Sequence, residues 1–100
     1  MQFLRGFGLG EGAKQPEVLV GKLLRMAALL QQEGSWDARL AGVFFDLALV
    51  CEAHGDYKMG VATGEKALQI KRDCQGSDFP DYHKYAEVVE RIEMKAARAG

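Results

Sequence analysis

From residue 16 onward, apolar positions recur at intervals of three and four, the spacing of one face of an α-helix. Val20, Leu23, Leu24, Ala27 and Leu30 form a first stripe, widened by Leu19, Met26 and Leu29. Leu40, Val43, Phe44, Leu47, Ala48 and Cys51 form a second, with Phe45 and Leu49 beside it. A segment this apolar is covered on more than one side. The third stripe is lighter: Tyr57, Gly60, Val61, Gly64, Ala67, Leu68 and Lys71. Gly60 and Gly64 share a face, and each costs about 1 kcal/mol against alanine inside a helix. A closely approaching neighbour helix is the expected compensation. Tyr82, Tyr85, Ala86, Val88, Val89, Ile92 and Ala96 make the fourth stripe.

The breaks between stripes carry helix punctuation. Pro16 suits a first turn. Gly34 and Gly55 are left-handed stops. Ser35 or Asp37 supplies the cap of the second helix and Asp56 that of the third. Gln75-Gly76-Ser77-Asp78-Phe79-Pro80 ends the third helix and starts the fourth. The expected fold is all-α, with four helices over residues 16–33, 37–54, 57–74 and 80–97. No run alternates with period two, so no strand is expected. Loops of two to six residues force antiparallel neighbours.

Residues 1–14 differ. Gly6, Gly8, Gly10 and Gly12 oppose helix, and the segment reads as a flexible leader to a helical domain over 15–98. Gly8, Gly10 and Ala13 imitate part of a dinucleotide fingerprint, without the preceding strand or the later acidic residue. Lys14 is followed by Gln15, not by the Ser or Thr of a phosphate-binding loop.

Composition narrows the function classes. The chain has 100 residues, 48% hydrophobic and 27% charged, with a net charge of -1. One compact domain fits that length. The missing basic excess argues against nucleic acid and against an anionic membrane surface. Charges interrupt every apolar stretch before a membrane span is reached, and no secretory signal is visible. Cys51 and Cys74 match no zinc spacing with His54 and His83, so neither metal nor cofactor is expected. They read as two reduced thiols in a cytoplasmic or nuclear protein, with a disulfide as the alternative.

No Ser-His-Asp or Cys-His set emerges, and a non-catalytic protein is expected. His54 falls at a helix end, near the final carbonyls. His83 is expected in solvent. Trp36 is placed to staple onto Leu40 or Ala41. Tyr57, Tyr82 and Tyr85 are expected to cluster where the third and fourth helices meet. Asp46, inside the most apolar helix, has two readings: an exposed polar side, or a groove where it accepts a hydrogen bond from a bound peptide.

The second and third helices resemble a tetratricopeptide repeat. Phe44, Leu47, Ala48 and Cys51 carry the resemblance in the first helix, Gly55-Asp56-Tyr57 in the turn and Ala67 in the second helix. Ala67-Leu68-Gln69-Ile70-Lys71, followed by Gly76-Ser77-Asp78-Phe79-Pro80, is similar to the kinesin light chain type. The match covers residues 40–84, with half-repeats on either side. There are departures. Gly60 and Gly64 replace alanine and a larger residue, and Phe45-Asp46 replace the peptide-facing asparagines. Phe45 and Leu49 also occupy the surface used for a carboxylate clamp, so that function is rejected. More loosely, Gly34-Ser35-Trp36-Asp37-Ala38-Arg39-Leu40 and Asp78-Phe79-Pro80-Asp81-Tyr82 resemble helical tails of fungal SET-domain methyltransferase-like proteins.

The tetratricopeptide resemblance implies protein or peptide binding. Its groove would be lined by the exposed side of the second helix, with Phe45, Asp46, Leu49 and Glu52 as partner-binding candidates. The second resemblance implies an accessory lobe of a methyltransferase-like protein. A third reading is a self-associating bundle, pairing through leftover apolar faces of the first and last helices, because repeat arrays usually need about three units for stability.

Overall fold

The computed structural model describes residues 16–99. The leader reading for residues 1–14 lies outside them. Four helices follow in order: α1 (Pro16–Gln32), α2 (Ala38–Ala53), α3 (Tyr57–Gln75) and α4 (Tyr82–Ala99). No strand occurs among the described residues.

The turns are built by the residues that punctuate the sequence. Gly34 and Gly55 adopt φ of 80° and 83°. This lets Ser35 N–H reach back to Leu30 O and Asp56 N–H to Cys51 O, satisfying final-turn carbonyls of α1 and α2. Asp37 caps α2, its carboxylate accepting from Arg39 N–H at 3.0 Å. Ser35 instead accepts from the Arg39 guanidinium, also at 3.0 Å. Asp56 both closes α2 through its N–H and opens α3 by accepting from Met59 N–H at 3.2 Å.

The fourth helix begins at Tyr82, two residues later than expected. Tyr82 N–H donates to Phe79 O, closing a turn over Phe79-Pro80-Asp81-Tyr82 with proline at the position where its fixed φ is preferred. Asp81 O then accepts from Tyr85 N–H, the first bond of α4.

Strong packing joins sequence neighbours, α1 to α2, α2 to α3 and α3 to α4, while α2 touches α4 only lightly. The body measures 40 × 37 × 21 Å, about two helix diameters thick. Core residues concentrate on α2, where Leu40, Ala41, Val43, Phe45, Leu47, Ala48 and Cys51 are all buried. Leu40 and Leu47 lose all exposure, as does Ile92 of α4. Each such burial removes about 1.5–3 kcal/mol of apolar hydration cost.

The glycine pair of α3 sits where a close neighbour was expected. A Cβ on Gly64 would stand 2.9 Å from Val89 Cγ2 and 3.6 Å from Ala48 Cβ. One on Gly60 would stand 3.2 Å from Ile92 Cγ2 and 3.5 Å from the Ala48 carbonyl oxygen. The bare face of α3 therefore receives α2 and α4 together.

Candidate partner-binding face

The four candidate residues of α2 differ in how far the other helices cover them. Phe45 does not line an open surface. It is buried, with its ring stacked on Tyr85 of α4 at 4.3 Å between centroids and 17° between planes. Phe79 meets Tyr85 edge-on at 5.7 Å and Tyr82 edge-on at 5.6 Å. An aromatic ladder thus runs from α2 through α4 into the α3–α4 turn. Tyr57 stands outside it, at the far end of α3.

Cations line this ladder. Lys84 Nζ lies 5.6 Å from the Phe45 ring centroid, and Arg72 packs over Tyr82 at 5.9 Å. Lys71, buried despite its charge, lies 5.3 Å from Phe79 and 5.6 Å from Tyr85. Its ammonium also faces the Asp81 carboxylate at 3.8 Å. Ring faces and one carboxylate offset the loss of water around that ammonium. Burial pushes the Tyr85 hydroxyl above its usual range.

Glu52 is likewise turned inward. Its carboxylate receives a bidentate pair from Arg91, two contacts of 2.6 Å, and a third bond from Lys95 at 2.9 Å. The hydrogen bonds from Arg91 hold the Glu52 carboxyl at about 2, against 4.5 ordinarily. Its side chain is only 9% exposed, so this clamp fastens α2 to α4 and leaves no free carboxylate for a partner.

The clamp sets an acid sensitivity. A folded-state pKa below the unfolded value gives stability that is complete above the unfolded value and lost as pH falls through the folded one. Glu52 therefore contributes fully above about pH 5 and progressively less down to about pH 2. The shift corresponds to about 3 kcal/mol, reduced to about 2 kcal/mol by solvent screening of the half-exposed Arg91 and Lys95. Glu52→Gln is expected to lose about that much at pH 7 and to flatten the acid limb, measured by urea unfolding between pH 7 and 3. An unchanged acid limb in the variant would mean that Glu52 is not the titrating group.

Asp46 and Leu49 are less fully covered, although Lys84 of α4 acts on Asp46 and Leu49 packs on the edge of the core. Asp46 is exposed and Leu49 half-buried, in line with Ala38, Gly42 and Ala53. A Cβ on Gly42 would meet nothing within 4 Å, so the middle of this stripe is open. Neighbouring groups partly desolvate the Asp46 carboxyl and raise it above its ordinary value, with Lys84 opposing. The exposure of Asp46 is common to both of its readings, a polar side and a peptide-accepting groove. Of the four candidates, Phe45 and Glu52 are thus taken up by contacts to α4, Leu49 is half-buried and Asp46 is exposed.

Sequence reasoning missed the partners on α4. Lys84, Arg91 and Lys95 fall on one edge of that helix, and α2 carries Asp46 and Glu52 facing them. Matching basic and acidic edges was the available signal. The other reactive side chains are dispersed. Cys51 is buried and Cys74 exposed, both as free thiols, and burial raises the Cys51 thiol. His54 closes α2 through its backbone N–H, and His83 is exposed. Trp36 is exposed, with Lys66 Nζ 5.5 Å above its ring. Among the described residues, no three His, Cys, Asp or Glu side chains converge to hold a metal, and no helix is long and apolar enough to cross a membrane. Comparison with family models, curated proteins and solved structures gives no match for this chain.

Proposed function

We propose that this chain is a non-catalytic protein-interaction module of the tetratricopeptide type, working in the cytoplasm or nucleus. The observation that carries the proposal is the open side of α2. That helix packs against every other helix, yet Ala38 and Asp46 stay exposed along its length, with Gly42 and Leu49 only partly covered between them. Small residues there let a ligand backbone approach, and Asp46 offers one carboxylate in an otherwise apolar strip. The matching ligand is a peptide segment with a large apolar side chain over Gly42 and a basic side chain against Asp46. Two layers of helices stacked through sequence neighbours also suit a repeat-type scaffold, which presents such a face on a rigid support.

The test is quantitative affinity capture with Asp46→Lys/Leu49→Glu beside Glu65→Lys, an exposed change on α3. The first variant is expected to lose bound partners about tenfold or more, as truncation of a central contact does. The second is expected to retain them. Full retention by Asp46→Lys/Leu49→Glu overturns the proposal.

A further inference from the structure

Among the described residues, α1 and α4 are incompletely covered, and their uncovered surfaces differ in kind. α1 packs strongly on α2 alone. Its outer side exposes Val18 at 37%, Met26 at 49% and Leu29 at 59%. These residues flank Lys22 and Arg25 at the middle of the helix, with Glu17 and Glu33 at its two ends. At the opposite end, the start of α3 and the finish of α4 enclose an open depression of about 620 Å³. Tyr57, Val61, Ala96 and Ala99 give it an apolar floor, and Asp56 and Glu93 stand at its edge with Lys58. One end is an apolar ridge with positive charge at its middle, and the other an apolar hollow with two carboxylates and one lysine at its edge.

We propose that the chain associates head to tail, with α1 of one copy seated in the α3–α4 hollow of the next. The occupant follows from charge and from order. Arg25 of the incoming helix would face Asp56 and Glu93, whereas α1 against α1 would set like charges together. The incoming α1 would also follow α4 as α3 follows α2, so the junction continues the alternation of layers within each chain. Both surfaces remain available at the ends of every assembly, so a contact of this kind does not stop at two copies unless it closes into a ring. The inference does not depend on the α2 stripe.

The experiment is sedimentation equilibrium of the full chain over a wide concentration range, with two variants and their mixture. The wild-type mass is expected to rise with concentration beyond that of a dimer. Met26→Glu/Leu29→Glu removes the ridge and Ala96→Arg fills the hollow, and each alone is expected to weaken association about tenfold or more. Mixed in equal amounts, they keep one intact ridge and one intact hollow between them and are expected to form dimers that grow no further. Ala99→Arg, at an exposed position, repeats the hollow test where the core is undisturbed, and circular dichroism verifies helix content in each variant. A wild-type chain that stays monomeric throughout overturns the proposal. So does an Ala96→Arg or Ala99→Arg chain that still dimerises, the result expected of α1 pairing with α1.

Discussion

Phe45→Ala is expected to lower the unfolding free energy by about 3–5 kcal/mol, the range for removing a buried aromatic side chain. The loss has three parts. The ring's apolar surface is no longer buried. A cavity opens beneath α4. The stack with Tyr85, which adds about 0.5–1.5 kcal/mol beyond area, disappears. Lys84 loses the ring face over which it sits. Asp46→Ala, one residue along, is expected to change stability by about 0.5 kcal/mol or less, as exposed substitutions do. Urea unfolding separates the two, by a large shift in midpoint for Phe45→Ala and almost none for Asp46→Ala. Equal and small shifts would show that Phe45 is not part of the core. A double-mutant cycle with Tyr85→Ala isolates the stack itself, because contacting residues depart from additivity.

Gly64→Val is expected to cost about 3 kcal/mol. In an open helix the change would help slightly, since valine has the better helix propensity. Here the first added carbon already lies 2.9 Å from Val89 Cγ2, and two further methyl groups must fit between α3 and its neighbours. Overpacking of this kind costs about 1–3 kcal/mol or more. Gly64→Ala is expected near neutral, with propensity gain and contact strain of similar size. The diagnostic result is partial rescue: Gly64→Val with Val89→Ala should be less destabilised than the two single changes together. Strict additivity would mean that the glycine does not serve this contact.

These two positions also mark what the sequence made legible. The glycine pair announced a close neighbour because its helix-breaking cost demands an offset, and the structure supplies α2 and α4. Helix number, the turns at Gly34 and Gly55, and the caps at Asp37 and Asp56 were readable for a similar reason, since each rests on local chemistry. Pro80 marked the start of α4 two residues early, because a proline that fits a first turn also fits the β-turn before it. Phe45 was misread as a surface residue. Helical periodicity places it beside the main apolar stripe, and only the approach of α4, distant in sequence, decides that it is covered. Glu52 was misread on the same ground: its fate depends on Arg91 and Lys95, some forty residues away. Asp46 stays exposed because α4 brings only the end of the Lys84 side chain toward it, and Leu49 is half-buried at the edge of the core.

The double duty of Asp56 bears on how the chain tolerates changes of length. One residue ends α2 through its N–H and starts α3 through its carboxylate, so no slack separates the two helices. Inserting a single residue there would rotate α3 by about 100° relative to α2. Gly60 and Gly64 would swing away from Ala48, and bulkier side chains would arrive in their place. Substitutions can be absorbed along much of this hairpin, but insertions and deletions at its turn cannot. Added length is better accommodated between α3 and α4, where six residues lie between the helices.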